Sequence, residues 1–325
     1  MFDVSVQVST TDLDDEYLTQ LAQLGVDRLD FTRGSSFPGV EEQGYPDLEG
    51  VLALRDRVRS YGMRVNRVTL PDVDAAFMDG ETEDEAAIER SVEAMRVFAE
   101  AGFPIARQRF AGSTFGALKE RYEAEQRAGI VSRGERLVPG GQLPDEAAEA
   151  RPTQAELDAW WERFFQVYDA LVPVADEEDI KLAMHPSDTP HYHVPFDGIG
   201  MNRLIDRYPS PQVGLIYCVG TRAEAGGSSL VLDEINHFGR KGRIFGVHVR
   251  NVRGSLAAAG GFEETLLDDG DLPIYRILEE LRNVGFDGCI NPDHVPRIAG
   301  DTDHRMISWG YGVAYLKAMC AAMVQ

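Results

Sequence analysis

Short apolar runs alternate with amphipathic segments along the chain, and this alternation predicts the secondary structure. The runs are rich in β-branched or bulky apolar side chains and are bounded by turn residues, as is typical of strands buried on both faces. They span residues 4–8, 27–31, 63–70, 104–110, 180–184, 213–217, 243–247 and 287–292. The segments between them have helical spacing, and the clearest predicted helices span residues 12–24, 48–61, 83–101, 154–179 and 307–324.

Eight strands alternating with helices predict one α/β domain over residues 1–325, a (β/α)8 barrel. A doubly wound open sheet is the alternative, but no glycine-rich phosphate-binding turn follows the first strand. The pattern breaks at residues 111–153, after the fourth strand, where glycine and proline mark an irregular insertion. We expect a short helix at 118–128 and a lid over the active-site rim, the alternative being an ordinary surface loop.

Composition and charge exclude several functional classes. A formal net charge of -22 argues against a nucleic-acid partner, which would need a basic face. No apolar run approaches the length of a membrane span, and the first residues begin a strand rather than a signal peptide. Three cysteines cannot form an even disulfide set, so we expect a cytoplasmic protein. Only four of the 32 basic residues are lysine, which fits either a salt-adapted cytoplasm or an acidic surface from a high-GC genome.

Four successive predicted strands end in a residue that can bind a metal, namely His185, Cys218, His248 and Asp293. Each residue alone would more often be structural. In a closed parallel barrel, however, the carboxyl ends of the strands share one rim, so we expect these four side chains to converge. Two imidazoles, a thiolate and a carboxylate suit a divalent transition metal such as Mn²⁺, Fe²⁺, Zn²⁺ or Co²⁺.

Further polar residues near the predicted strand ends are candidates for substrate contacts. Arg250 and Arg253, just past His248, could clamp a carboxylate by bidentate hydrogen bonds. His294, beside Asp293, could transfer a proton or orient a ligand. The remaining candidates for contacts to hydroxyl or carboxylate groups are Asp30, Asn66, Arg107, Arg109, Asp188 and Asn251.

Several of these motifs resemble those of the mannonate dehydratases. The motifs are His185-Pro186-Ser187-Asp188, Cys218-Val219-Gly220, His248-Val249-Arg250-Asn251-Val252-Arg253 and Pro292-Asp293-His294. The resemblance is strong over residues 180–320 and weaker before them. Family members commonly carry an aromatic-rich segment after strand four, where this chain has Arg107-Gln108-Arg109-Phe110-Ala111.

This resemblance implies a TIM barrel with a manganese ion held by His185, Cys218, His248 and Asp293. It implies loss of water from a six-carbon sugar acid, most simply D-mannonate, to give 2-keto-3-deoxy-D-gluconate. It also implies catalytic roles for Asp293 and His294 and for a tyrosine near the end of the chain, for which Tyr311 is the nearest candidate.

Two other functions stay open at this point. A metal-dependent sugar isomerase or epimerase on the same barrel would typically use more carboxylate ligands than this sequence offers. A non-catalytic sugar-acid-binding protein is the second alternative, although the presence of all four potential ligands weighs against it. We expect a small-molecule sugar acid as the partner, no membrane or nucleic acid, and a homodimer or homotetramer.

Overall fold

The computed structural model describes residues 2–83, 85–110, 119–137, 153–188 and 198–323. Strands and helices alternate from the first residues onward, as the apolar runs predict. The chain up to residue 177 forms β1 (Asp3–Val8), α1 (Asp15–Gln23), β2 (Arg28–Phe31), α2 (Val40–Gln43), α3 (Leu48–Ser60), β3 (Arg64–Thr69), α4 (Ala75–Met78), α5 (Ala86–Glu100), β4 (Ile105–Arg107), β5 (Lys119–Glu125), β6 (Val131–Leu137) and α6 (Gln154–Glu177).

The second half of the chain continues the alternation and adds two strands, β10 and β11, that pair antiparallel to each other. It forms β7 (Lys181–Met184), α7 (Gly198–Arg207), β8 (Val213–Cys218), α8 (Val219–Arg240), β9 (Ile244–His248), β10 (Asn251–Ser255), α9 (Leu256–Ala259), β11 (Gly261–Thr265), α10 (Ile274–Asn283), β12 (Cys289–Asn291) and α11 (Met306–Ala322). Among the described residues, none of the helices has the length and apolar character needed to cross a membrane.

Eight parallel strands close into a barrel in the order β1-β12-β9-β8-β7-β4-β3-β2, which confirms the predicted (β/α)8 fold. Closure depends on the pairing of the first strand with the last, in which Asp3 faces Cys289 and Val4 faces Ile290. The helices pack their apolar faces on the outside of this barrel. In α6, for example, the stacked rings of Trp160, Phe164 and Tyr168 are all buried.

The predicted helix at residues 118–128 is wrong. Residues 119–125 form β5, which pairs along its whole length with β6 in an antiparallel hairpin, from Lys119 opposite Leu137 to Glu125 opposite Val131. The hairpin extends a second sheet, of order β10-β11-β6-β5, because β6 also pairs with β11. Local helix propensity is weak, and pairing with β6, which itself pairs with a strand more than 120 residues away in sequence, overrides it here.

A buried hydrogen-bond network joins four strands inside the barrel. The carboxylate of Asp30 accepts from Ser5 Oγ at 2.8 Å, from Asn66 Nδ2 at 2.7 Å and from Asn291 Nδ2 at 2.8 Å. Asp30 is only 2% exposed, so its charge is satisfied by these donors rather than by water. The network therefore ties β2 to β1, β3 and β12 close to the point of closure.

We expect Asp30→Ala to destabilise the fold by about 3 kcal/mol, because three buried donors would lose their acceptor. Asp3→Ala is the matched control. Asp3 sits on β1 in a partly exposed ion pair with Arg28 at 2.7 Å, and its loss should cost less than about 1 kcal/mol. Urea unfolding followed by circular dichroism measures the free energy of unfolding of both variants. Equal losses of this free energy would show that the buried network stabilises the fold no more than the exposed ion pair does.

Candidate metal centre and active site

The four predicted metal ligands lie at the carboxyl ends of barrel strands. Cys218 and His248 are the last residues of β8 and β9, where they face each other in the strand pairing. His185 directly follows β7, and Asp293 lies two residues after β12. All four residues are buried. The barrel thus brings to one rim four residues that are far apart in sequence.

The ligand atoms of these residues form a compact group. One ligand atom each of His185, Cys218 and His248 lie within 4.8 Å of one another. Asp293 adjoins them, with Oδ1 3.4 Å from His248 Nδ1 and Oδ2 3.9 Å from Cys218 Sγ. Neither ring nitrogen of His248 has a hydrogen-bond partner in the described part of the chain. A buried imidazole left in this state is costly, and the donor set suits a divalent transition metal, so these residues fit a bound ion.

Burial and nearby charges set the protonation of the group. Burial is the main cause that holds the pKa of His185 well below its usual value, and the positive charge of Arg107 lowers it further. Burial also lowers the pKa of His248 to about 4. Both imidazoles are therefore neutral at neutral pH, the form that binds metals. Burial opposes the ionisation of Asp293, but electrostatic interactions with the side chains of His294, His248 and Arg250 hold its pKa well below the usual range. Asp293 is accordingly a carboxylate.

Cys218 caps the N-terminus of α8. Its Sγ accepts a hydrogen bond from the backbone N–H of Thr221 at 3.4 Å, and Nη2 of Arg250 lies 3.8 Å away. A helix N-terminus and a guanidinium both favour a thiolate. Burial outweighs them and raises the pKa of the Cys218 thiol to about 11. A bound cation would shift this balance back toward the thiolate.

Asp293 has a left-handed backbone conformation with φ of 56°, which is uncommon outside glycine. Two contacts hold it there. Gln7 Nε2 donates to Asp293 Oδ1 at 2.7 Å, and the Asp293 backbone N–H donates to Asn291 Oδ1 at 2.8 Å. Gln7 was not among the predicted site residues. The alternation of β1, in which Ser5 and Gln7 are the polar members of an apolar run, is the signal that could have found it.

The predicted ligands line a cavity of about 330 Å³ at the carboxyl rim of the barrel. Its wall is rich in arginine, although the chain carries a net charge of -22, and the four arginines are Arg107, Arg109, Arg133 and Arg250. His294 also lines it, with a half-exposed side chain. A concave, positively charged surface on an acidic protein attracts anionic ligands. A second cavity of about 620 Å³ adjoins the first and shares Arg133 and His294.

Arg250 lies on the cavity, as predicted, but its guanidinium binds protein carboxylates. Nη2 is 2.8 Å from Glu224 Oε1, Nη1 contacts Glu264 Oε1, and Nε is 3.5 Å from Asp293 Oδ2. Burial opposes the ionisation of Glu264, but a hydrogen bond from His294 and the charge of Arg250 lower the pKa of Glu264 to about 2. Arg250 is therefore neutralised inside the protein, and the predicted bidentate clamp on a substrate carboxylate does not match its contacts.

Two asparagines predicted to bind substrate lie away from the cavity. Asn66 donates to Asp30 in the interior network of the barrel. Asn251 donates to the carbonyl of Leu267 at 2.8 Å, and its Oδ1 accepts from the backbone N–H of Leu272 at 3.0 Å. These amides are satisfied by protein partners, so their positions do not support substrate contacts.

Arg253 and Tyr311 also lie away from the cavity. Arg253 donates from Nη1 to Gln126 Oε1 at 3.0 Å, on the side of the β5–β6 hairpin. The Tyr311 hydroxyl donates to Asp268 Oδ1 at 2.6 Å, and burial and this carboxylate raise the pKa of Tyr311. Neither arrangement supports the predicted role. The side chain of Asp188 falls outside the described residues.

Solved structures with a similar backbone share this barrel. A mannonate dehydratase from Streptococcus suis serotype 2 superposes with a TM-score of 0.77 at 20% identity, covering 98% of this chain and 94% of that one. A 3-keto-D-glucoside 4-epimerase from E. coli superposes with a TM-score of 0.62 at 12% identity, covering 98% and 100%. The closed parallel barrel, with its cavity at the carboxyl rim, thus defines a (β/α)8-barrel enzyme.

The sequence comparisons narrow this class to one family. Mannonate dehydratase 2 of Halalkalibacterium halodurans is 25% identical over 291 residues, 82% of each chain. The mannonate dehydratase of Thermotoga neapolitana is 24% identical over 310 residues, covering 85% of this chain and 84% of that one. The model of the D-mannonate dehydratase (UxuA) family matches residues 144–325, more than half of the chain. The chain therefore belongs to the D-mannonate dehydratase (UxuA) family, a family of hydro-lyases.

We expect Gln7→Leu to weaken the binding of divalent metal roughly tenfold, because Asp293 would lose the donor that orients its carboxylate. Isothermal titration with Mn²⁺ and Zn²⁺ measures the change. Gln23→Leu, at an exposed position of α1, is the matched control and should leave metal affinity unaltered. Unchanged affinity in the Gln7 variant would show that this hydrogen bond does not support the site.

Proposed function

We propose that the protein is a metal-dependent dehydratase that converts D-mannonate to 2-keto-3-deoxy-D-gluconate. The observation that carries this proposal is the compact group of His185, Cys218 and His248 on an arginine-lined cavity. Membership of the D-mannonate dehydratase family supports the reaction class and the sugar-acid substrate. The relatives named as mannonate dehydratases support the particular acid.

The residues that would hold the metal are His185, Cys218, His248 and Asp293, and we propose Mn²⁺ as the ion. When bound, a divalent cation would supply Lewis-acid stabilisation of the negative charge that develops as the proton next to the substrate carboxylate leaves. Fe²⁺, Zn²⁺ and Co²⁺ suit the same donors and are the alternatives.

Two arginines of the cavity, Arg107 and Arg109, would bind and orient the acid. Arg107 is the last residue of β4, Arg109 lies two residues further along the chain, and both line the cavity. Guanidinium groups bind carboxylates through paired hydrogen bonds and hydroxyl groups through single ones. The Nε of Arg109 is 3.8 Å from Asp72 Oδ1, and the side chain of Arg109 is 41% exposed, which leaves its guanidinium accessible to a ligand.

His294 is the residue best placed to move a proton. Its Nδ1 is 2.9 Å from Glu264 Oε1, and because the carboxylate can only accept, this contact places a proton on Nδ1. Nε2 then has the lone pair that can take a proton from the substrate or, once protonated, give one to the leaving hydroxyl group. Glu264 stabilises the positive charge that His294 carries in between.

The isomerase or epimerase alternative is not favoured. Among the described residues, Asp293 is the one carboxylate that we place beside His185, Cys218 and His248. Isomerases and epimerases of this kind typically use more carboxylate ligands. The structural similarity to an epimerase, at 12% identity, concerns the fold alone. Cytoplasmic location and homo-oligomeric assembly stay predictions.

The direct test incubates the manganese-loaded protein with a panel of aldonates. We expect D-mannonate to lose one molecule of water and to yield a 2-keto-3-deoxy acid, detected by mass spectrometry and by a colour assay for that product. Turnover without a change of mass would point instead to an isomerase or epimerase. The absence of turnover for the whole panel would overturn the proposed function.

We expect His248→Ala to lose bound metal and activity together while the barrel stays folded, because His248 supplies a central ligand. Metal content after dialysis and the dehydration assay measure the two losses. His237→Ala, on the exposed side of α8, is the matched control and should retain both. Full metal occupancy in the His248 variant would remove His248 from the site.

We also propose that the 111–153 insertion acts as a lid. Its described part, the β5–β6 hairpin, provides Arg133 to the cavity wall and contributes Arg121 and Tyr122 to the adjoining larger cavity. The hairpin therefore borders both cavities at this end of the barrel.

If the insertion closes on substrate, trypsin should cleave within residues 119–137 more slowly in the presence of a sugar acid. The five cleavage sites are Lys119, Arg121, Arg127, Arg133 and Arg136. Cleavage at Arg276 in α10, which is exposed and lines neither cavity, serves as the internal control. Equal rates at the hairpin with and without the acid would contradict a moving lid.

A further inference from the structure

A buried cluster of charges connects the insertion hairpin to the barrel. Arg133, on β6, directs Nη2 toward Glu224 Oε1 at 3.2 Å and Glu264 Oε1 at 2.8 Å. The same two carboxylate oxygens bind Arg250, which lies at 2.8 Å from Glu224 and also contacts Glu264. Two arginines thus share two glutamates that come from α8 and β11.

Both carboxylates depend on protein partners for their charge. The side chains of Glu224 and Glu264 are 1% and 8% exposed, so water solvates them poorly. Glu224 Oε2 has no hydrogen-bond partner among the described residues, which leaves the two arginines as the groups that neutralise Glu224. Without Arg133, Arg250 would be the one arginine left in contact with Glu224 and Glu264, and Arg250 also lies beside Asp293.

The cluster reaches the catalytic cavity through a shared atom. Glu264 Oε1 accepts from Arg133, from Arg250 and from His294 Nδ1 at 2.9 Å. Arg250 in turn lies 3.5 Å from Asp293 and 3.8 Å from Cys218. A change at Arg133 therefore alters the charge that orients His294 and Arg250, even though Arg133 belongs to a different part of the fold.

The hairpin does not need Arg133 in order to dock on the barrel. Backbone pairing joins β6 to β11, with Phe262 opposite Glu135. Side-chain hydrogen bonds add to it, from Tyr122 and Gln126 to Glu263 at 3.2 and 2.9 Å. These contacts lie on the face of the hairpin that points away from the buried cluster of charges. They would remain if the Arg133 guanidinium were removed.

We propose that Arg133 is a positioning residue, which neutralises Glu224 and Glu264 and thereby holds Arg250 and His294 in their active orientation. The insertion thus supplies a side chain that completes the active site, in addition to bordering it. The activity readout of this inference rests on the proposed dehydratase function, so its test includes a second readout that needs neither metal nor turnover.

The test compares Arg133→Ala with Arg136→Ala. Arg136 lies on the same strand with a side chain that is 61% exposed, in an ion pair with Glu120 that does not reach the barrel. Arg133→Ala should lower kcat for D-mannonate at least about tenfold with little change in KM for the acid or in metal content, as is usual when the partner of a catalytic group is lost. Arg136→Ala should stay within about twofold of the unaltered protein. Added guanidinium ion should restore part of the kcat of Arg133→Ala.

The second readout is the long-range ¹⁵N–¹H NMR spectrum of the seven histidine rings, recorded on metal-free protein. His294→Asn assigns the His294 signals, which should shift in Arg133→Ala and stay in place in Arg136→Ala. If Arg133→Ala does not fold, Arg133→Gln decides, because glutamine keeps hydrogen-bond donors but removes the positive charge. It should show the same NMR shift with reduced kcat.

The outcomes separate the two proposals. Unaltered His294 signals together with a kcat close to that of the Arg136 control, in either Arg133 variant, would overturn the positioning role. A shift of the His294 signals in a protein that turns over no aldonate would retain the positioning role and reject the proposed reaction.

Discussion

The pairing of β1 with β12 is the constraint on which the rest of the structure depends. It closes the barrel, and closure places the carboxyl ends of eight strands on one rim. Gln7 and Asp293 lie 286 positions apart, yet they meet at 2.7 Å because the first and last strands are neighbours. The Asp30 network lies at the same closure, because it joins β2 to Ser5 on β1 and to Asn291 on β12. An open sheet built from the same strands would leave Asp293 without its orienting partner.

Positive charge is concentrated at the cavity, although the chain as a whole is strongly acidic. The protein carries a net charge of -22, but arginine dominates the wall of the cavity at the carboxyl rim. Some of this positive charge is neutralised internally, as the contacts of Arg250 with Glu224 and Glu264 show. Arg109 remains accessible. The result is a site that attracts an anion at its rim while it keeps neutral imidazoles and a carboxylate in its interior, which is the arrangement that a metal-assisted reaction on a sugar acid needs.

The second sheet shows how far tertiary contacts can override local preference. Residues 119–125 contain glutamate, lysine, arginine and alanine, all of which favour helices, and they lie within the predicted helix at 118–128. The segment is instead a strand, because β6 pairs with it on one side and with β11 on the other. The second partner of β6 is β11, which is distant in sequence and leaves no periodic signal in the hairpin itself. Neither the sheet nor the position of Arg133 at the cavity could therefore be predicted from the local sequence.

The sequence by itself determined the barrel and which residues lie at its carboxyl rim. Buried parallel strands have continuous apolar runs, and the residue that ends each run must lie on the common rim, so His185, Cys218 and His248 could be predicted from position alone. Side-chain partners were decided by the tertiary structure. Asn251 and Tyr311 look like site residues in the chain, but Asn251 binds the carbonyl of Leu267 and Tyr311 binds Asp268. The reason is geometric: backbone periodicity sets which rim a residue occupies, whereas the direction and partner of its side chain depend on elements that only folding brings into contact.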